Sequence, residues 1–95
     1  MVDIPVQVAA AAVAGVDCFI KDLSLSGAFV RSDRDLRLHT LIDVRIELPP
    51  PTTRIAIVKA YISRKVQEGV GIEWCEFAPT IVKDLLRSAV VRFPL

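Results

Sequence analysis

From Leu41 to Leu48 the chain alternates without a slip: Leu41, Asp43, Arg45 and Glu47 fall on one side, and Ile42, Val44, Ile46 and Leu48 on the other. Successive side chains of an extended strand point to opposite faces, so this period of two requires a strand with one buried face. Pro49-Pro50-Pro51 follows at once, and proline cannot donate to a β-ladder, so the strand ends there. A strand with one apolar face needs partners, and the next segments supply them. Thr52 and Thr53 complete a turn, and Arg54 to Lys65 is rich in strand formers, with Ile55, Ile57, Val58, Tyr61 and Ile62. Glu68-Gly69 is expected as the next turn, after which Val70, Ile72 and Trp74 alternate against Gly71, Glu73 and Cys75.

The N-terminal half carries weaker signals. Ile4, Val6 and Val8 alternate, whereas Ala9 to Ala12 favours a helix by propensity alone. The pattern is read as a strand from Ile4 to about Val13, a turn over Gly15 to Asp17, a second strand over Asp17 to Leu23 and a third over Gly27 to Ser32. Arg31, Asp33, Arg34, Asp35 and Arg37 mark a solvated connection to the Leu41 strand. After Pro79 the period changes: Ile81, Val82, Leu85, Leu86 and Ala89 recur at three- and four-residue steps, the stripe of an amphipathic helix, with Lys83, Asp84 and Arg87 opposite. Pro94 argues against continuation through Phe93. Six strands and one helix predict a small antiparallel β-barrel, all-β but for a C-terminal α-helix that covers an open end or seam. Residues 1–95 show no repeat or long linker and are read as one domain.

Composition narrows the function classes. With 53% hydrophobic residues the chain has ample material for a core, and disorder is not expected. The longest apolar run, Val8 to Val16, is nine residues against the ~20 of a membrane span, so no membrane insertion is expected. No basic cluster precedes that run, and a cytoplasmic location follows as the expectation. Twelve basic against 11 acidic residues argues against DNA or RNA, which require a broad cationic face. A small anionic ligand needs only two or three local arginines. Cys18 and Cys75 are far apart and are read as buried apolar residues. Cys18, His39 and Cys75 lack the spacing of a metal site, and the single histidine lies in the charged connection, where no nucleophile and orienter accompany it. No glycine-rich phosphate loop opens a helix. No enzyme is indicated. An oligonucleotide-binding barrel would show exposed aromatics on a basic surface, whereas the six aromatics here sit mostly at apolar positions.

One segment carries chemistry. Asp22-Leu23-Ser24-Leu25-Ser26-Gly27 lies between two expected strands, with Asp, Ser and Gly at offsets zero, two and five. In an extended stretch Asp22 and Ser24 project to one side, so a carboxylate and a hydroxyl can meet one ligand edge, such as the adjacent N–H donors of guanine. Gly27 lacks a side chain, so backbone and ligand could approach closely there. The structural alternative is an ordinary β-turn using Asp, Ser and Gly.

The run Asp22 to Val30 resembles the signature of the PilZ domains, bacterial receptors for cyclic di-GMP. The resemblance continues through Gly69-Val70-Gly71-Ile72-Glu73-Trp74 and into the terminal helix. It implies a six-stranded antiparallel barrel capped by a C-terminal helix. It also implies that Asp22, Ser24 and Gly27 recognise a guanine and its neighbouring phosphate. The family's R-x-x-x-R segment ahead of the first strand has no counterpart here: the first arginine is Arg31, and Asp3 stands near where a basic residue is expected. Either the chain begins after that segment, or it is a divergent member binding cyclic di-GMP weakly or not at all. A charge-assisted hydrogen bond contributes ~1.5–3 kcal/mol, so two lost arginines would cost several powers of ten in affinity. Arg31, at even spacing from Phe29, and Trp74, by stacking, are further candidate ligand contacts; their structural alternatives are a solvated strand end and a core tryptophan. The alternative function is an adaptor of the same fold that contacts a protein partner without the nucleotide.

Overall fold

The computed structural model describes residues 4–10, 13–32, 36–48 and 54–87. Six strands precede one helix: β1 Ile4–Ala10, β2 Val13–Leu23, β3 Gly27–Arg31, β4 Leu41–Leu48, β5 Arg54–Val66, β6 Gly69–Trp74 and α1 Thr80–Arg87. All neighbouring pairs are antiparallel, and the order β1-β2-β3-β6-β5-β4 closes on itself through the β1–β4 ladder. This is the expected barrel with its C-terminal helix.

Alternation drives the closure. Val6 and Val8 of β1, Cys18 and Ile20 of β2, Val30 of β3, Val44 and Ile46 of β4, Ala60 and Ile62 of β5, and Val70, Ile72 and Trp74 of β6 all point into one core. Ile81, Val82 and Leu85 of α1 join the same cluster. Among the described residues no polar or charged side chain is buried. An Arg54–Asp84 ion pair links the start of β5 to α1. Pro79 accepts the first helical hydrogen bond, from Lys83 N at 3.0 Å. It stands just ahead of the helix, where a missing N–H costs nothing.

Four expectations need correction. The first reversal is not at Gly15 to Asp17: these residues lie inside β2, and Ala10 pairs with Val13. Val16, Cys18 and Ile20 face Val8, Val6 and Ile4 across the ladder, so the apolar phase carries β2 back past Gly15. Gly15 has no crowded neighbour, since a Cβ there would lie 3.5 Å from the Gln7 side chain. The β5–β6 hairpin turns at Gln67 and Glu68, not at Glu68 and Gly69, with Gly69 already the first residue of β6. Ser32 follows β3 rather than ending it. Cys75 is exposed, because it falls one step past Trp74 on the outward phase, whereas Cys18 is buried as expected. The expected turn at Pro49 to Thr53, the charges Asp33, Arg34 and Asp35, and Ala89 to Pro94 lie outside the described residues.

Bulges break the phase of two strands. In β2 the inward series Val16, Cys18 and Ile20 would continue to Asp22, placing a carboxylate in the core. A register shift between Ile20 and Asp22 inserts Lys21 as an extra residue, after which Leu23 is buried and Asp22 is exposed. In β5 the inward series Val58, Ala60 and Ile62 would continue to Arg64. A shift between Ile62 and Arg64 inserts Ser63 and leaves Arg64 exposed. An extra residue re-aims every side chain beyond it, which is how a bulge rescues a charge from a core.

Candidate functional site

The loop joining β2 to β3 is built by Ser24. Its amide donates to Gly27 O at 2.9 Å, its hydroxyl oxygen accepts from Gly27 N at 3.2 Å, and it lies 3.1 Å from Gly27 O and 3.3 Å from the Ser26 hydroxyl. The turn chemistry weighed as the structural alternative is therefore present, in Ser24 and Gly27.

The end of β6 and the segment after it hold this loop from the other side. Trp74 N donates to Ser26 O at 3.0 Å and Ala78 N donates to Leu25 O at 3.1 Å. The Trp74 indole N–H donates to Ser24 O at 3.1 Å. Trp74 itself is buried, 6% exposed, so its ring lies beneath the loop with its nitrogen spent on the Ser24 carbonyl. Three separate donors fix the loop's backbone, and none comes from a motif side chain.

Gly27 is buried, and what approaches it is protein. A Cβ at this position would lie 2.1 Å from Ile72 O on β6. The same crowding recurs at the far end of the β3–β6 ladder, where a Cβ on Gly69 would lie 2.1 Å from Val30 O. Both glycines let these two strands close.

Asp22 has no structural duty of this kind. It is exposed and makes no hydrogen bond or ion pair among the described residues. Several other surface charges are paired: Lys59 with Asp43 at 3.0 Å, Arg45 with Glu47 at 3.3 Å, and Asp84 with Arg54 and Arg87. Asp22 borders a surface hollow of about 500 Å³, together with Ser24, Ser26, Phe29, Arg64 and Gly71. Asp22 pairs with Phe29, Phe29 with Gly71 and Gly71 with Arg64, so these four residues form one row across β2, β3, β6 and β5. Arg64 likewise makes no ion pair among the described residues. Its side chain lies along the sheet over Gly71, with Nε 3.4 Å and Nη2 3.7 Å from where a Gly71 Cβ would stand. The Ser63 hydroxyl donates to Gly71 O at 3.3 Å and anchors the bulge beside it.

Asp22, Ser24 and Gly27 thus line one hollow. Arg31 is exposed one row further along β3, opposite Phe19 and Gly69, and like Trp74 it is not among the lining residues. Phe29, Arg64 and Gly71 were missed. The signal for Arg64 was a charge falling on the apolar phase of a strand, the same conflict that Asp22 shows in β2.

Glu73 lines the same hollow and faces Tyr61 across the β5–β6 ladder. Hydrogen bonding to the Glu73 carboxylate raises the Tyr61 hydroxyl pKa above the ordinary phenol range, with smaller contributions from burial and the negative charge of Glu73. Among the described residues no cluster of three or more His, Cys, Asp or Glu could hold a metal ion. No helix of the described residues is long and apolar enough to cross a membrane.

In chemical terms the hollow offers the carboxylates of Asp22 and Glu73, an aromatic ring, bare backbone and a guanidinium, groups capable of hydrogen bonding and stacking. No curated protein and no solved structure matches the chain. The family model of the PilZ domain matches residues 1–92, the six strands and the helix included. The chain therefore belongs to the PilZ domain family and is a module of cyclic di-GMP signalling.

Proposed function

We propose that residues 1–95 act as one non-enzymatic receptor unit that binds cyclic di-GMP weakly, with Asp22 reading a guanine edge. The observation that carries this reading is the Asp22 carboxylate, without a partner among the described residues and turned outward by a bulge onto a hollow of about 500 Å³. A solvated carboxylate accepts from two adjacent N–H donors, and guanine presents such a pair. Ser24 contributes by holding the loop and by its exposed hydroxyl, and Gly27 by allowing β6 to support the corner. Arg31, outward on β3 beyond Phe29, adds positive charge near the ligand's phosphates.

Calorimetric titration of the folded chain with cyclic di-GMP tests the proposal. Binding in the micromolar range or weaker, abolished by Asp22→Ala with thermal stability kept, is the expected result. Flat heats up to millimolar dinucleotide would remove the receptor reading.

A second reading, an adaptor that works through a protein partner without the nucleotide, rests on a different observation. Phe77 is 81% exposed and Leu25 40%, on two loops joined by the Ala78 N to Leu25 O hydrogen bond. Apolar side chains shown to water beside one another favour a partner surface. A partner retained without nucleotide and lost on Phe77→Asp supports this reading; retention by the Phe77→Asp chain counts against it.

A further inference from the structure

We infer that Arg64 is the phosphate-contacting cation of this site, so that a nucleotide lies across the strands from Asp22 to Arg64 with its base over Phe29. The inference deepens the receptor reading and rests on it.

Three observations converge. Arg64 is brought to the outside by its own bulge, independent of the one that frees Asp22, and both bulges deliver their charge to the same row. A bulge beside a hollow is a device for aiming a side chain. Had only one strand been bulged, one of the two charges would face the core. Next, the exposed arm of Arg64 lies over Gly71, whose missing side chain leaves the room. The hydroxyl of Ser63 fixes the Gly71 carbonyl below it. Finally, neither Asp22 nor Arg64 is neutralised by a protein partner among the described residues. At three strand spacings they stand roughly 14 Å apart along the sheet, too far to pair with each other and suited to opposite ends of one ligand.

The charge order defines the ligand's chemistry. The carboxylate end takes N–H donors, the ring of Phe29 takes a flat base, and the guanidinium end takes a phosphate through paired N–H bonds. A guanosine phosphate ester has these groups in this order.

The test compares Arg64→Gln with Asp22→Asn by following amide shifts during titration with cyclic di-GMP and, separately, with guanosine, which has no phosphate. Arg45→Gln, on β4 and paired with Glu47, is the control for loss of a surface charge. Expected for Arg64→Gln are an unchanged melting temperature, a dissociation constant for cyclic di-GMP raised about tenfold or more, and a flatter salt dependence. Its affinity for guanosine stays within twofold of the parent chain. Asp22→Asn weakens both ligands. Arg64→Gln binding cyclic di-GMP like the parent, while Asp22→Asn fails, overturns the role of Arg64 and leaves the receptor reading standing. Equal weakening toward guanosine and the dinucleotide also overturns it, because the arginine would then not be reading phosphate. No binding of cyclic di-GMP by the parent chain overturns both.

Discussion

Replacing Gly27 with alanine separates the structural and ligand roles of the signature glycine. The added Cβ would stand 2.1 Å from Ile72 O, 3.1 Å from Ile72 C and 3.2 Å from Glu73 Cα, whereas real Cβ atoms essentially never come within 3.0 Å of another heavy atom. All three obstacles are backbone, so no rotamer change relieves them. β3 and β6 must part by about 1 Å, which stretches inter-strand hydrogen bonds from the usual ~2.9 Å beyond useful length. One or two weakened backbone bonds cost about 1 kcal/mol each, and the overpacking itself about 1–3 kcal/mol. A loss of about 2–5 kcal/mol is expected, which for a domain of this size lowers Tm by roughly 8–40 °C. The assay is urea and thermal unfolding followed by circular dichroism, with Gly15→Ala as the internal control. A Cβ on Gly15 meets only the Gln7 side chain at 3.5 Å, and no described glycine has positive φ. Gly15→Ala should therefore be neutral or more stable by about 0.5 kcal/mol, through a less flexible unfolded chain. If Gly27→Ala stays within about 0.5 kcal/mol of the parent, or if Gly15→Ala falls as far, the close-approach argument is wrong.

Two further outcomes follow from the same geometry. Trp74→Phe keeps most of the buried ring but removes the donor to Ser24 O, so stability should fall by about 1–3 kcal/mol, from the unmet carbonyl and the smaller ring; amide exchange at residues 24–27 should accelerate by more than at β4. Because the folded Tyr61 pKa is raised, the protonated phenol is favoured in the fold: its contribution is complete below the ordinary phenol pKa of 10.0 and is lost as pH climbs through the higher folded value. Ultraviolet titration should show Tyr61 ionising at higher pH than in Glu73→Gln, and identical curves would remove Glu73 as the cause.

Much of the barrel was legible because its strands obey a period of two. Ile42 to Leu48, Val70 to Trp74 and Ile4 to Val8 each place every second residue in the core, and the stripe of Ile81, Val82 and Leu85 marks the helix as plainly. The β1–β2 reversal was not legible, because alanines carry little facing information and Gly15 mimics a turn although it lies in a strand. Bulges were invisible for a different reason. They change phase without changing composition, so nothing in the spacing of Asp22 and Arg64 tells that both side chains are sent to one outer row. Arg64 also lies 42 positions from Asp22 in the chain, and only the β3–β6–β5 pairings bring the two together.

The signature's three residues therefore carry unequal information about ligand binding. Gly27 is required by the carbonyl of Ile72, and Ser24 closes the loop that β3 departs from, so a barrel of this design needs both whether or not it ever meets a nucleotide. Their presence is evidence for the fold. Asp22 differs: it holds no loop, bonds no backbone and pairs with no cation among the described residues. Left in the inward phase of β2 it would have brought an unpaired carboxylate into an apolar core, a placement costing several kcal/mol that the Lys21 bulge removes. An asparagine-free, carboxylate-free corner with Ser24 and Gly27 intact would still fold as a barrel, but it would offer no acceptor for a base. The choice between nucleotide receptor and protein adaptor is thus carried by the one motif position that the fold does not need, and by whether the guanidinium across the row answers it.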